Sequence, residues 1–149
     1  MKTFSPNQTA MLLPLSLLAH QLEEYFGKFP IWYSNLLDAQ LSDQDFIMIN
    51  VIGLLLISGF SLSYFFNKNN LILVALGTLI FVNGIIHLVL SIFTLSYSPG
   101  VISGVILFLP LGTSIYLRIL PKLEKKEKIA AISIGLLLLF SVSMIAMNI

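Results

Sequence analysis

Residues 71–95, LILVALGTLIFVNGIIHLVLSIFTL, run for a full membrane-spanning length without one Asp, Glu, Lys or Arg. A helix needs roughly 20 mostly apolar residues to cross the hydrocarbon core of a bilayer. The stretch therefore reads as a transmembrane helix, and the polar groups within it, Asn83 and His87, require a partner or a purpose. Four further segments of this kind lie on either side, at 9–27, 46–66, 100–120 and 129–148. The whole composition agrees. The chain is 57% hydrophobic and only 10% charged, with a mean hydropathy of +0.95, where an ordinary soluble domain carries roughly 25% charged residues. The expected fold is all-α, a single domain over residues 1–149 built as a five-transmembrane-helix bundle in lipid.

The 9–27 segment is the least apolar, and Lys2 before an apolar run resembles a secretory signal. Pro14 interrupts that run, Leu17 suits a small-residue cleavage site ending at Ala19 poorly, and the polar pentad HQLEE follows at once, so the segment reads as a retained helix. Orientation follows from the basic residues, which accumulate in cytoplasmic connections. With five spans, Lys2, Lys68, Arg118, Lys122, Lys125, Lys126 and Lys128 share one side and only Lys28 lies on the other. The N-terminus is expected in the cytoplasm and the C-terminus outside, in the cell membrane.

Several function classes are excluded. Without cysteine there is no disulfide, thiolate metal site, thioether-linked haem or cysteine nucleophile. A net charge of +1, with the basic residues massed at one helix boundary, forms no nucleic-acid-binding stripe. HExxH, GxSxG, P-loop and Rossmann glycine patterns are all absent. No internal repeat is visible, and five spans do not divide into two equal halves, although a homodimer would restore the symmetry common in transporters.

What remains is a set of ionisable groups inside apolar helices. His20 and His87, the only histidines, each sit about 12 Å from the outer end of their spans at a rise of about 1.5 Å per residue. Glu23 and Glu24 lie one turn nearer the outside than His20, Asn50 lies near the outer end of the second span, and Asn83 shares a face with His87. At about 100° per residue, Glu23 falls about 60° to one side of His20 and Glu24 about 40° to the other, so both carboxylates can flank the imidazole. Carboxylate and histidine at i, i+3 build di-iron sites in helical bundles, and a His-His-Glu set with one open position is a catalytic zinc arrangement.

The pentad His20, Glu23, Glu24 is followed by Tyr25 and the aromatic stretch GKFPIWYSN, then by Asn83 and His87 and by the YSPG turn at Tyr97–Gly100. Together these residues resemble the HXXEE family of small integral membrane proteins, across roughly the whole chain. The resemblance implies a multi-span fold with a polar cluster and no particular reaction.

Roles are assigned from the residues. Glu24 has a local alternative partner in Lys28 at i+4, whereas Glu23 has none. Glu23 is therefore grouped with His20 and His87 as metal ligands, and Glu24, Asn83 and Tyr97 are the candidate catalytic groups. Spacing alone leaves the two glutamates exchangeable. A divalent ion, zinc first with iron or manganese as alternatives, would acidify bound water for attack on a lipid-like or amphiphilic substrate, making the protein a membrane-embedded hydrolase. The alternative is a non-enzymatic carrier or sensor using the same cluster for a proton, ion or small ligand, or an accessory membrane subunit.

The other features read as scaffold. Phe29, Trp32 and Tyr33 suit an interfacial aromatic belt, and LLDAQLSDQDF suits a short amphipathic helix or lid. Ser42 or Asp43 can cap the second span. Asn50 suits interhelical hydrogen bonding, and Gly53, Gly59, Gly100 and Gly104 suit close helix approach. Pro110 should kink the fourth span, Pro99–Gly100 should make a tight turn, and the last segment should face lipid.

Overall fold

The computed structural model describes residues 4–38 and 40–148; Lys2, assigned above to the basic side, and Ala39, in the 36–46 connection, lie outside them. The described residues are helical throughout, apart from short connections. α1 covers Pro6–Phe26, α2 Phe29–Leu37, α3 Asp43–Asn67 and α4 Asn70–Thr94. α5 is composite: Val101–Ser103 passes through a π-helical turn at Gly104–Phe108 into Leu109–Arg118. A 3-10 turn at Leu120–Lys122 leads into α6, Lys125–Asn148.

Among the described residues four helices are long and apolar enough to cross a membrane, Asp43–Asn67, Asn70–Thr94, Val101–Lys122 and Lys125–Met147. α1, at 21 residues, is long enough but not apolar enough, because Thr9, Ser16, His20, Gln21, Glu23 and Glu24 interrupt it. Its start is fixed by a capping box: Gln8 N–H donates to Ser5 Oγ at 3.3 Å and Ser5 N–H donates to Gln8 Oε1 at 2.8 Å. Ser42, one of the two expected caps, starts α3 by accepting from Asp45 N–H at 3.1 Å.

Polar contacts at the helix ends establish direction. Lys68 Nζ donates to Asn7 Oδ1 at 3.1 Å and Arg118 donates to Phe4 O at 3.4 Å. The start of α1, the α3–α4 connection and the end of α5 therefore share one end of the bundle. At the other end Tyr97 OH donates to Glu23 and Tyr33 OH donates to Ser143 O at 3.5 Å. The long helices α1, α3, α4, α5 and α6 consequently alternate in direction, with Lys68, Arg118 and Lys122 at one end and the HQLEE pentad toward the other.

α4 is the central helix. Half of its most apolar stretch is buried within the protein, against 17% for α3, and Leu73, Val74 and Ile80 are fully buried. α6 packs chiefly on α4 and α3 chiefly on α1, while α3 and α6 meet only sparsely. Apolar burial gives little net drive between helices in lipid, so close approach through small residues matters more. Gly84 of α4 and Gly104 of α5 lie face to face, where a Cβ on Gly84 would stand 3.0 Å from Gly104 O. Gly53 and Gly59 play no such part: Gly59 has nothing within 4 Å, since that face of α3 points away from the bundle.

Two further expectations are revised. The helix between the first two long helices falls on FPIWYSNLL, not on LLDAQLSDQDF, and Phe29, Trp32 and Tyr33 turn inward to line a cavity instead of forming an outer belt. Pro110 disturbs its helix through a π turn just before it, in which Leu109 N–H donates to Gly104 O. A proline ring clashes with the carbonyl one turn earlier, and an extra residue in that turn relieves the clash.

The Gly84–Gly104 contact predicts that Gly84→Val costs about 1–3 kcal/mol through overpacking against backbone, seen as a lower thermal midpoint in detergent, while Gly59→Ala leaves the midpoint essentially unchanged.

Candidate functional site

Leu13, Leu17, His20 and Glu24 succeed one another at helical spacing on the buried face of α1. That spacing presents His20 and Glu24 to α4 together, with His20 only 2% exposed and Glu24 only 7%. His87 arrives from α4, 4% exposed. His20 Nε2 and His87 Nε2 each stand 3.4 Å from the same oxygen, Glu24 Oε1. The two imidazoles meet edge to face, with centroids 4.9 Å apart, and Phe108 packs on His20 at 4.4 Å.

The turn between α4 and α5 holds the far edges of both rings. Ser103 Oγ lies 2.9 Å from His20 Nδ1, and Ser98 Oγ lies 3.1 Å from His87 Nδ1. Between these serines Gly100 adopts φ +98°, a left-handed conformation open to glycine. A Cβ there would sit 2.6 Å from His20 Cε1 and 2.9 Å from His87 Cε1, so the backbone rests against both imidazoles.

Glu23 anchors that turn. Its Oε1 accepts from Tyr97 OH at 2.7 Å, Ile102 N–H at 3.0 Å and Gly100 N–H at 3.1 Å, and its Oε2 accepts from Ser103 N–H at 2.6 Å. The first amides of a helix have no intrahelical partners and carry partial positive charge, so a carboxylate suits them. Partial burial, and then the bond to the neighbouring Glu23 carboxylate, push the Tyr97 phenol up to about 12, which keeps it a neutral donor at physiological pH.

The inner edges of the histidines carry the chemistry. Ser103 has one hydroxyl proton, and it donates to Gly100 O at 3.3 Å. In the tautomer that a metal requires, His20 presents Nδ1–H to Ser103 Oγ and turns its Nε2 lone pair toward Glu24. His20 Nε2 is buried and has no hydrogen-bond partner among the described residues. A charge-assisted bond would close to about 2.7–2.9 Å, whereas two ligand atoms about 2.05 Å from a tetrahedral ion stand about 3.3–3.4 Å apart. His20, Glu24 and His87 can offer ligand atoms all within 4.8 Å of one another. The donor set, neutral imidazoles with one carboxylate, suits zinc and also iron or manganese.

This cluster forms one wall of a cavity of about 380 Å³ enclosed by α1, α2, α3, α4 and α6. Asn83, one turn from His87, lines the same cavity, and its Oδ1 is buried without a hydrogen-bond partner among the described residues. Aromatic side chains of α2, Phe29, Trp32 and Tyr33, cover the end nearest the cluster, with Phe29 5.9 Å from His87 between ring centroids.

Of the residues singled out in the sequence, His20, Glu24 and His87 come together and Asn83 joins them at the cavity. Glu23, grouped above with the ligands, instead holds the Tyr97–Ser103 turn. Tyr97 bonds Glu23 outside the cavity lining and is 48% exposed. Among the described residues Glu24 makes no ion pair with Lys28, which stands at the N-cap of α2 in a left-handed conformation. Asn50 donates to Phe46 O and its carbonyl accepts from Gln21, so it ties α1 to α3 at the cavity wall. The unforeseen participants are Ser98 and Ser103. Their only mark in the sequence is a pair of hydroxyls flanking Pro99–Gly100, which reads equally well as turn chemistry.

Two outcomes check this geometry. Histidine-labelled protein in long-range ¹H–¹⁵N spectra should show His20 as the Nδ1–H tautomer when zinc is bound, and Ser103→Ala should disturb that resonance while leaving the helical circular dichroism intact. Gly100→Ala should shift the resonances of both rings, because its Cβ collides with each.

A family model described as a protein of unknown function with HXXEE motif matches residues 11–115, which include both histidines, both glutamates, Asn83 and the Ser98–Ser103 turn. No curated protein and no solved structure gives a significant match. With HQLEE at 20–24 supplying the motif and the match extending over most of its length, the chain belongs to the HXXEE family.

Proposed function

We propose that the protein is a membrane-embedded, metal-dependent hydrolase of a lipid-like substrate, with His20, Glu24 and His87 as its metal ligands. The observation that carries this reading is the approach of His20 Nε2 and His87 Nε2 to one Glu24 oxygen at 3.4 Å, on the wall of a cavity. Three protein ligands with a fourth position open is the arrangement of catalytic rather than structural zinc. When bound, such an ion acidifies coordinated water and polarises an acyl bond. Glu24 supplies the anionic ligand, and Ser98 and Ser103 fix the orientation of the imidazoles. Asn83 orients substrate, and the apolar walls keep bulk water out. Glu23 is a positioning residue, since its carboxylate already receives four donors.

In this reading α1 is a fifth span. His20, Gln21 and Glu24 face the cavity and Glu23 faces the α5 turn, while Met11, Leu15, Leu18, Leu22 and Phe26 form an exposed apolar stripe suited to lipid. The basic end of the bundle faces the cytoplasm, which puts the N-terminus inside, the C-terminus outside and the site in the outer half of the cell membrane.

A second reading, a proton or small-ligand carrier, is favoured by one feature: with Glu23 filled, no second carboxylate lines the cavity to act as a general base. Elemental analysis of tag-free protein separates the two. Wild type should retain about one zinc, iron or manganese ion per chain, and His20→Ala, His87→Ala and Glu24→Gln should each lose it. Glu23→Gln should keep the stoichiometry with affinity weakened about 10- to 100-fold, as for other groups that orient ligands from outside the metal's own shell. Wild type that takes up no metal after ions are added back removes the hydrolase and leaves the carrier.

A further inference from the structure

We infer that the cavity takes an uncharged, single-tailed amphiphile whose head group carries a hydrogen-bond donor, a hydroxyl or an amide N–H, that pairs with Asn83. The inference rests on the cavity being the ligand site of the preceding section, but not on the metal.

Shape argues for a tail. On α3 the lining runs from Phe46 to Phe60 and on α4 from Leu76 to Leu90, about 21 Å of helix at about 1.5 Å per residue. The polar cluster is confined to one end. From Asn83, where the head pairs, back to Leu76 there remain about 10 Å along α4, where Leu79 on α4, Ile57 and Phe60 on α3, and Leu138 on α6 supply apolar walls. The volume of about 380 Å³ lies within the range of small-molecule sites, roughly 300–1,000 Å³. Because α3 and α6 meet only sparsely, the long side of the cavity offers a chain a way in from surrounding lipid.

Charge argues for the head. Among the described residues no lysine or arginine lines the cavity, and Glu24 is the only acidic one. In the metal-free cavity a phosphate or carboxylate head would enter a low-dielectric site beside a like charge, and an ammonium head would give up its hydration to a Glu24 already held between His20 and His87. An uncharged head avoids both costs. Asn83 lines the cavity, and its Oδ1 accepts nothing from the described residues; a small turn of the side chain brings this occluded oxygen to a donor on the head and relieves an acceptor that is costly to leave unpaired. One turn separates Asn83 from His87, so a donor at Asn83 places the adjoining polar bond of the amphiphile beside the His20–Glu24–His87 cluster.

The experiment is binding of 1-monoacylglycerol to chelator-treated protein in phosphatidylcholine nanodiscs, with the fatty acid and the alkylammonium of the same chain length as comparisons. The monoacylglycerol should bind saturably, about one per chain and at least about tenfold more tightly than the fatty acid at pH 8. Asn83→Leu should weaken it about tenfold or more. Leu79→Trp, which fills the tail path, should exclude long chains while short-chain monoacylglycerols still bind, and this keeps the test informative if Asn83→Leu folds poorly. Equal or tighter binding of either charged amphiphile, or an unchanged affinity in Asn83→Leu, overturns the inference. The metal is absent throughout, so failure of the metal centre in elemental analysis leaves this result standing, and a retained metal without amphiphile binding sinks this inference alone.

Discussion

The structure is organised around a carboxylate buried between two imidazoles. Glu24 is 7% exposed and is the only buried carboxylate among the described residues, and an isolated charge in such a place costs several kcal/mol unless partners receive it. His20 and His87 are those partners, and each touches Glu24 through the nitrogen turned away from its serine. The neighbouring architecture can be understood as support for these three side chains. The π turn places Phe108 against His20, Gly84 and Gly104 bring α4 and α5 into backbone contact, and Gly100 lies against both rings.

The two glutamates of the motif divide the labour. They are adjacent in sequence and only about 100° apart around the helix, yet one faces the cavity and the other faces the first amides of α5. Glu23 thereby couples the end of α1 to the turn that positions both histidines. Losing Glu23 would release the Tyr97–Ser103 turn, and losing Glu24 would leave two imidazoles facing a void. Two consecutive acidic residues let one helical turn supply both the carboxylate between the imidazoles and the one that holds the Tyr97–Ser103 turn.

Much of this was legible in the sequence. The apolar runs mark the long helices because length and hydropathy are local properties, and Ser42 marks the start of α3 because capping is local too. The association of His20 with His87 could be anticipated because ionisable groups at matching positions in neighbouring apolar helices have few alternative partners. The choice between Glu23 and Glu24 was not legible: both flank His20 at similar angles, and only the position of the Tyr97–Ser103 turn, a tertiary fact, separates them. Phe29, Trp32 and Tyr33 carry the same amphipathic signal whether they face headgroups or close a cavity. The same holds for Gly59 and Gly84, which look alike in sequence and differ in whether another helix is present opposite them.

The most direct test of the centre is zinc K-edge X-ray absorption on protein reloaded with one equivalent of zinc. In wild type, nitrogen and oxygen ligands at about 2.0–2.1 Å with outer scattering from two imidazoles are expected, and in His87→Ala, which does not hold the ion, the imidazole scattering should be lost. A zinc spectrum without imidazole scattering, or one that His87→Ala leaves unchanged, contradicts a centre built from His20, Glu24 and His87.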